Sequence, residues 1–580
     1  MIKVQWILAL LCLTGLTLAK DAGIMLHDAL LRDLQNGVIN RAEYVAYQLM
    51  GIRNSPELPP NYRAFNQRPT RMGTGLMLEA SALLEQTSGR EQQLLQSVLY
   101  RPDYLPLSKT SPSGLFKLHY TDIGANAAAD TFITLAAEAF DYSYDLIVNQ
   151  LHFSPPPKDD IDGPEYDVYV YNLGDYGMTT PDGSASTLEH PNGAVSYIHM
   201  DNTFTRTYTK GESGMLVTTA HEFLHMVQIG YRNFTTSEFD SRWLFEGCAV
   251  WMEDYAFDDI NDYLQYLPSY FADMSRSFYT YNGLHEYGTG VFYMMLEQKY
   301  GPEVMRQIWE HFAREEVFDA VDNALRQYGS SFALELSEHM IWNYFTGQRA
   351  NPQLYYAEGE KYPLVTTTAI DSVSSNFYIS DNLNHMGAHF VEIKPQNFGE
   401  LTIQPEIDSP AHWMYAVIQD AEYEAPLVSL STGARSVLLP DVTPANSVHI
   451  VPVHVYLPKT NEHDAVEAYS FTVTLGDAGS VTAGIQSIAP NPFQPGIHSQ
   501  GAQVSVRLTE KTDRLAFYVA DENGRIVYSQ KMGFESPQKG DFVMHWAGTT
   551  NEGRLVPSGI YLFYFDTAQP IRPGKIAVIR

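Results

Sequence analysis

The sequence predicts a multidomain α+β protein, in which a domain of mixed sheet and helices is followed by two β-sandwich domains. The chain has 580 residues, and at the usual domain size this length corresponds to about three or four domains. Strand-like alternation comes before long helical patterns in the first part of the chain, an order typical of α+β folds. From residue 362 the pattern changes to short β runs separated by Pro, Gly and Asn, which is typical of β-sandwiches.

The first segment, residues 1–19, has the pattern of a secretory signal peptide. An apolar run extends from Val4 to Ala19, and its length of roughly 16 residues is short for a transmembrane helix. Thr17 and Ala19 are small residues at suitable cleavage positions. An uncleaved membrane anchor is the alternative. No later segment is apolar enough to cross a bilayer, so we expect no membrane span after signal removal.

Composition excludes some classes of partner. The formal net charge is −31, which argues against binding to nucleic acid or to an anionic membrane surface. Of the two cysteines, Cys12 lies in the predicted signal, so the mature chain would keep only Cys248 and would have no internal disulfide. We expect Cys248 to pack as a small apolar side chain rather than to act as a nucleophile.

Residues 20–108 are predicted to form a helical N-terminal region. Helical spacing of apolar residues is interrupted by prolines from Pro56 onward and resumes from Met77 to Leu99. Two interpretations stay open. The region is either a propeptide that is removed or a structural brace on the following domain.

Residues 109–355 are predicted to carry the chemistry. Alternating patterns indicate strands, and longer apolar patterns with helical spacing indicate helices. The predicted strands are 115–120, 166–171 and 193–200, and the predicted helices include 127–151, 214–229 and one that begins near residue 241.

The most informative motif is His221-Glu222-Phe223-Leu224-His225. On a helix its two histidines lie one turn apart, so both imidazoles can reach one metal ion. Glu222 is then placed to act on a metal-bound water. Phe223 and Met226 make the helix apolar almost all round, which predicts that it is buried. A capping box and a pair of core histidines are the non-catalytic alternatives.

Two glutamates on the next predicted helix complete the pattern. Glu246 lies in an otherwise apolar segment, where an unpaired carboxylate is costly, and a metal ion is a sufficient reason for it. A catalytic zinc usually has three protein ligands, and Glu246 is the candidate for the third. Glu253 follows two helical turns later and is a candidate to hold the outer nitrogen of a ligand histidine, with a surface carboxylate as the alternative.

These motifs resemble those of the gluzincin metalloproteases. The resemblance rests on H-E-x-x-H followed by Trp-Leu-x-Glu-Gly-x-Ala-x-Trp-x-Glu at 243–253 and a Tyr-Gly-x-x-x-Phe segment at 287–292. It implies a gluzincin-like catalytic domain with Zn²⁺ held by His221, His225 and Glu246, and with Glu222 as general base and acid. A Gly-x-Met-Glu-Asn segment like that of the aminopeptidase branch is missing from the sequence, which favours an endopeptidase.

Three further features complete the predicted site. Tyr287 or His285 could donate a hydrogen bond to the oxyanion of the reaction, although Tyr287 could equally be a packing residue. The strand at 193–200 could pair with an extended peptide substrate. Asp-rich stretches at 159–163 and 258–262 could bind structural Ca²⁺, but their spacing favours solvated acidic turns.

The C-terminal part of the chain is predicted to form two β domains, at 362–476 and 484–580. The motif order in the second, from Ala489-Pro490-Asn491-Pro492 to the Pro557-Ser558-Gly559 turn, resembles type IX secretion sorting domains and the Ig-like domain of flagellar hook-capping proteins. The resemblance implies export through the outer membrane by the type IX secretion machinery. A plain accessory sandwich is the alternative.

Together these observations predict a secreted or cell-surface zinc endopeptidase that acts on protein or peptide substrates. Two alternatives stay open. One is a surface-attached adhesin whose protease domain is degenerate, and the other is a zinc exopeptidase.

Overall fold

The structure is a computed structural model. It describes residues 25–65, 73–159, 161–233, 241–373, 376–395, 399–419, 427–433, 435–443, 447–457, 466–477, 484–489, 491, 493–495, 501–521, 524–567, 571 and 573–579. The predicted signal peptide, residues 1–19, lies outside the described residues. The chain divides into two compact units, Met1–Ser269 with Tyr279–Ala324 and Tyr270–Phe278 with Leu325–Arg580. No helix among the described residues is long and apolar enough to cross a membrane.

Four helices form the N-terminal region of the first unit. They are α1 (Leu26–Gln35), α2 (Arg41–Ile52), α3 (Gly73–Leu84) and α4 (Gly89–Gln96). A capping box starts α2, because the Asn40 side chain accepts from the Glu43 N–H and the Glu43 carboxylate accepts from the Asn40 N–H. The pattern that predicted continuous helix over 77–99 is divided between α3 and α4. Gly89, at which α4 begins, has φ 63°, and this left-handed backbone conformation prevents one continuous helix from passing through the position.

A five-stranded mixed sheet follows these helices. Its strands are β1 (Leu107–Thr110), β2 (Phe116–Tyr120), β3 (Tyr166–Tyr171), β4 (Gly177–Ser184) and β5 (Ala194–Asp201), in the order β1-β2-β3-β5-β4. The three central strands are parallel, and both edge strands are antiparallel to their neighbours.

The strand predicted at 193–200 is therefore not an edge that a peptide could extend, and this prediction is wrong. It corresponds to β5, which lies between β3 and β4. The edge strand is β4, whose alternating pattern is interrupted by Pro181 and Gly183. Proline is tolerated at a sheet edge because it lacks the N–H that an inner strand must donate. This is why the sequence did not indicate the strand.

The N-terminal helices and the sheet share one hydrophobic core. Val45 and Leu49 of α2 and Met77 of α3 are completely buried, and they belong to the same cluster as Met178 of β4 and Tyr197 of β5. In the full chain these shared contacts bury the apolar faces of the N-terminal helices against the sheet.

The remaining helices of the chain carry the predicted motifs. α5 (Asp130–Tyr144) continues into a π-helical turn (Asp145–Gln150), and α6 (Gly211–Tyr231) is buried along nearly its whole length. The others are α7 (Arg242–Ala256), a 3₁₀ turn (Asp262–Gln265), α8 (Leu267–Ala272), α9 (His285–Gly288), α10 (Gly290–Tyr300), α11 (Glu303–Phe312), α12 (Val317–Arg326) and α13 (Phe332–Tyr344), followed by 3₁₀ turns Gly347–Arg349 and Gly359–Lys361.

The second unit contains a β-sandwich. The strands are β6 (Thr368–Val373), β7 (Phe377–Asn384), β8 (Val391–Pro395), β9 (Gly399–Pro405), β10 (Trp413–Gln419), β11 (Leu427–Thr432), β12 (Val437–Val442), β13 (Val448–His454) and β14 (Val466–Asp477), with a 3₁₀ turn (Pro410–His412) before β10. One sheet has the order β11-β10-β13-β8-β6 and the other β12-β9-β14-β7. Side chains from both sheets, such as Trp413 and Phe471, form one core.

The C-terminal strands form a third β structure with its own core. They are β15 (Gly484–Ala489), β16 (Ala502–Ala520), β17 (Ile526–Trp546), β18 (Gly559–Asp566) and β19 (Gly574–Val578). The sheet has the order β15-β16-β18-β19, and β17 pairs with β16. Trp546 and Phe517 are completely buried in its core. The linker predicted at 476–480 contains the end of β14, and its residues 478–480 lie outside the described residues.

Candidate metal centre

The three metal-ligand candidates come together between two buried helices. His221 and His225 lie one turn apart on α6, and Glu246 lies on α7. The Nε2 atoms of the two histidines are 3.0 Å apart. Glu246 Oε2 is 3.4 Å from Nε2 of His221 and 3.3 Å from Nε2 of His225. The three ligand atoms therefore converge on one position.

This arrangement fits a zinc ion. Ligand atoms about 2.1 Å from a tetrahedral zinc are about 3.4 Å from one another, close to the separations observed here. Glu246 is 1% exposed, and neither of its carboxylate oxygens makes a hydrogen bond among the described residues. Burial would raise the pKa of Glu246, but His225 and His221 outweigh burial and lower it to about 2, so that the carboxylate is ionised. A metal ion at this position would supply the positive charge that a buried carboxylate needs beside neutral imidazoles.

The outer nitrogens of both histidines are held by partners. His221 Nδ1 lies 2.6 Å from Glu253 Oε1, and His225 Nδ1 lies 2.7 Å from Gln228 Oε1. These acceptors place the imidazole proton on Nδ1 and leave the Nε2 lone pair directed at the shared position, as metal-binding histidines require. Gln228 in turn donates from Nε2 to the Phe245 carbonyl at 3.1 Å, which fixes its orientation.

Sequence analysis did not identify Gln228 as a partner of His225, although the spacing of the two residues indicates such a contact. It lies three residues after His225 in a segment that is otherwise apolar, so that its side chain and that of His225 lie on the same side of the helix. A buried amide at this spacing needs partners. The same argument that identified Glu246 would have identified Gln228.

Glu222 faces the edge of the sheet. Its Oε2 accepts hydrogen bonds from Thr179 Oγ1 of β4 at 2.8 Å and from Thr74 Oγ1 of α3 at 3.1 Å. Gly177 makes this approach possible, because a Cβ atom there would lie 2.7 Å from Glu222 Cγ. Neither Thr74 nor Thr179 was predicted, since both are distant in sequence and short hydroxyl side chains carry no signal of their own.

The N-terminal helix α3 covers the edge strand next to Glu222. The outward N–H of Thr179 donates to Thr74 Oγ1 at 2.9 Å, and the Gly73 N–H donates to Asp175 Oδ2 at 3.0 Å. A Cβ atom on Gly73 would be 2.7 Å from Met178 Cβ, so the helix and the strand are in close contact. The backbone donor of β4 that lies nearest to Glu222 is therefore already occupied by the chain itself.

A buried ion pair ties α3 to the helix that carries Glu246. Glu79 of α3 is completely buried, and its Oε2 accepts from Arg242 of α7 at 3.3 Å and from Arg41 of α2 at 2.7 Å. The Arg242 guanidinium also lies 3.5 Å from the centre of the Tyr281 ring. Two cations beside one buried carboxylate satisfy the charge that burial would otherwise penalise.

Tyr287 lies next to the candidate ligand His221. The rings of Tyr287 and His221 are stacked, with their centroids 6.3 Å apart. The ring of Tyr266 also stacks on that of Tyr287, with a centroid distance of 5.0 Å. The Tyr287 hydroxyl is buried and makes no hydrogen bond among the described residues. Burial and the nearby Glu246 raise its pKa well above the ordinary value, so it stays protonated and able to donate. His285 is buried at the start of α9, where its backbone N–H donates to Asn282 Oδ1 at 2.9 Å.

Glu286, between these two candidates, is completely buried. Its carboxylate accepts from the N–H groups of Asn282 at 3.1 Å and Gly283 at 2.7 Å. Burial raises its pKa to about 7, against an ordinary value of 4.5.

We expect Glu286→Gln to reduce the pH dependence of stability. The folded state binds the Glu286 proton more tightly than the unfolded state, so this stabilising contribution is present below about pH 4.5 and is lost as the pH rises through 7. The free energy of unfolding of the wild type should fall by up to about 3 kcal/mol over this range. Chemical denaturation at pH 5 and pH 8 measures the difference. An identical pH dependence in both proteins would contradict the shift.

The Asp-rich stretches have protein partners. Asp159, Asp167 and Asp182 all form ion pairs with Arg101, and Asp262 accepts from Gln265 Nε2 at 2.7 Å. Asp160 lies outside the described residues. Within the first stretch, Arg101 thus pairs with Asp159, and Lys117 pairs with Asp162.

Cys248 is a free, buried thiol on α7. Burial raises its pKa, and the neutral thiol is a poor nucleophile. It packs as a small apolar side chain, as the sequence predicted.

One protein family matches part of the C-terminal region. Residues 494–568 match the family of the FlgD Ig-like domain, in agreement with the resemblance noted in the sequence. No curated protein matches the chain.

Similar solved structures include PorZ, an essential bacterial surface component of the type IX secretion system of Porphyromonas gingivalis, with 18% identity, 19% of this chain and 14% of that chain covered, and a TM-score of 0.13. Dimeric latent PorU from Porphyromonas gingivalis has 15% identity over 36% of this chain and 20% of that chain, with a TM-score of 0.17. A β-glucuronidase from Ruminococcus gnavus has 13% identity over 35% of this chain and 36% of that chain, with a TM-score of 0.13. The chain spans only 14% of the length of PorZ.

Proposed function

We propose that the first unit is a gluzincin-like zinc endopeptidase. The observation that supports this most is the convergence of His221 Nε2, His225 Nε2 and Glu246 Oε2 within 3.0–3.4 Å of one another. Glu222 lies next to His221 in the same buried helix, where a general base would be needed. His221, His225 and Glu246 would hold the ion, and Glu253 and Gln228 would orient the two imidazoles.

The reaction follows from the chemistry of these groups. Bound zinc would supply a Lewis acid that polarises the scissile carbonyl and lowers the pKa of water. Glu222 accepts the proton of the attacking water and passes it to the leaving amine. Thr179 Oγ1, 2.8 Å from Glu222 Oε2, holds that carboxylate in place. Tyr287 is the candidate donor to the oxyanion, because its buried hydroxyl stays protonated.

The edge of the five-stranded sheet is the proposed binding position for a peptide substrate. An extended peptide would pair with the edge strand β4, whose Thr179 N–H points away from β5. Since α3 occupies this donor, the full chain would be a closed form of the enzyme. This favours a regulatory segment, such as a propeptide, over a simple brace for residues 20–108.

Zinc content and proteolysis test this proposal together. We expect the purified protein to bind zinc, to lose peptidase activity on treatment with a chelator and to regain it when Zn²⁺ is added. Cleavage of internally quenched, end-blocked peptides would exclude an exopeptidase. Zinc binding without hydrolysis of any peptide library would favour the alternative, a surface adhesin with a degenerate protease domain.

We also propose that the C-terminal domain directs export by the type IX secretion machinery to the outside of the cell. The match of residues 494–568 to the FlgD Ig-like family supports a compact Ig-like module at this end of the chain. A mass spectrum of the secreted protein would show whether the predicted signal peptide 1–19 and the C-terminal domain 484–580 have been removed.

A further inference from the structure

We propose a second transition-metal site, of the kind that binds Zn²⁺, at one end of the β-sandwich of the second unit. Its ligands are His385, His454 and Glu467, each of which offers one ligand atom within 4.8 Å of the others. The site was not predicted from the sequence, because the three residues are not spaced as a motif. The inference does not rest on the proposed peptidase function.

The three residues come from both sheets of the sandwich. His454 is the last residue of β13 in one sheet, whereas Glu467 lies near the start of β14 and His385 directly follows β7, both in the other sheet. A metal ion at this position would link the two sheets at their ends.

The backbone fixes these positions independently of a metal. The Met386 N–H donates to the His454 carbonyl at 2.8 Å, and the His454 N–H donates to the Gly387 carbonyl at 3.0 Å. The Val455 N–H donates to the His412 carbonyl at 2.8 Å. The turn after β7, the end of β13 and the 3₁₀ turn before β10 are thus held together, which pre-organises the ligands.

The His454 imidazole is completely buried and lies close to the Glu467 carboxylate. His454 is 0% exposed, and neither of its ring nitrogens makes a hydrogen bond among the described residues. Its Nε2 is 3.5 Å from Glu467 Oε2, and the Trp413 ring stacks on its face at 4.5 Å. A buried imidazole usually satisfies at least one nitrogen, and a metal ion beside Glu467 would do so.

His412 completes the site on its outer side. Its Nδ1 lies 2.9 Å from Glu467 Oε1 and 3.2 Å from Oε2. This contact orients the carboxylate, as second partners of metal-binding carboxylates commonly do. The Glu467 side chain is 30% exposed, which gives an ion a path to the site. Two imidazoles and one carboxylate are donors that suit zinc and neighbouring divalent ions rather than Ca²⁺ or Mg²⁺.

Metal stoichiometry of the full chain tests the site. The probe is Zn²⁺ alone, in equilibrium dialysis at a fixed free concentration followed by elemental analysis. We expect two zinc ions per wild-type chain and one in Glu467→Gln, whose affinity at this site should fall at least about tenfold. Combination of Glu467→Gln with Glu246→Gln, which removes a ligand of the candidate catalytic centre, should leave none at the same concentration.

Controls separate loss of the site from loss of the fold. Glu467→Gln keeps the size of a partly exposed side chain, and its circular dichroism should match that of the wild type. His389→Gln alters another histidine of the same sandwich, whose Nδ1 lies 2.9 Å from the Tyr469 hydroxyl, and it should still bind two ions. The binding of Co²⁺ should give visible absorption bands in the Glu246→Gln variant that His385→Gln removes.

Two results would overturn the proposal. One is a wild-type chain that binds no zinc beyond the ion that Glu246→Gln removes. The other is a folded Glu467→Gln or His385→Gln variant that retains the second ion with unchanged affinity. If Glu246→Gln alone lost an ion while the second site stayed filled, the two sites would be shown to be independent, as proposed.

Discussion

Glu222→Gln should abolish proteolysis while the protein still binds zinc. Glutamine keeps the shape of the side chain and can still meet the hydroxyls of Thr179 and Thr74, but it cannot accept a proton at neutral pH. Loss of a general base lowers the rate by about 10²–10⁴-fold. The proposed zinc ligands His221, His225 and Glu246 are unchanged, so the zinc content should equal that of the wild type. Cleavage of casein and of end-blocked peptides by the secreted mature protein measures the effect.

The matched control is Glu212→Gln. Glu212 is an exposed residue in the first turn of the same helix, α6, so the substitution makes the same chemical change away from the site. It should keep wild-type activity and zinc content. A Glu222→Gln protein that cleaves casein as fast as the wild type would show that the proposed mechanism is wrong.

The ligands were accessible to sequence analysis because their geometry is local. A spacing of four residues on a helix fixes the relation of His221 to His225. The residues around Glu246 are apolar, so its carboxylate stood out in the sequence. Glu253 follows seven residues later, and this spacing places both glutamates on the same face of α7. The structure places Glu253 Oε1 2.6 Å from His221 Nδ1. In each case the inference required only helical periodicity and the cost of a buried charge.

The surroundings of the site were not accessible because they depend on long-range packing. Thr74 and Glu222 are hydrogen-bonded although they are 148 positions apart in the sequence. A threonine in a sequence does not indicate which distant residue its hydroxyl will contact. The wrong assignment of the substrate-pairing edge has a similar origin. The parallel order of β2, β3 and β5 is set by crossovers. The sequence pattern of β4 did not indicate a strand, because Pro181 and Gly183 interrupt its alternation.

The α+β order and the sandwich were predicted for a different reason. Apolar residues recur with a period of about two in strands and about 3.6 in helices, and this pattern extends over whole elements. It can therefore be recognised without knowing which elements pack against each other. The pairing of His385, His454 and Glu467 had no such signal, because these residues meet only where strands of opposite sheets end.

The N-terminal helix α3 should restrain the activity of the full chain. Its Thr74 hydroxyl takes up the β4 donor that a peptide substrate would need, and it also binds Glu222. A peptide substrate therefore competes with α3 for the edge of β4. The apparent affinity for the substrate is lowered in proportion to the small fraction of molecules in which α3 has left β4. Separation of α3 from β4 should raise kcat/KM for peptides without a change in the zinc ligands.

Gly73→Val is the variant that tests this restraint. A side chain at Gly73 would meet Met178 Cβ, the Gly177 carbonyl and Asp175, so α3 cannot keep its place against β4. A clash of this kind costs roughly 1–3 kcal/mol, and we expect kcat/KM for a quenched peptide to rise about tenfold or more. Glu85→Val, at an exposed position just after the same helix, should have wild-type activity. Glu222→Gln combined with Gly73→Val should be inactive, which would assign the new activity to the same site. A segment that blocks the substrate edge must inhibit the enzyme when it is in place, and its displacement must raise the activity. If Gly73→Val folds and binds zinc but gains no activity, α3 is therefore a structural brace.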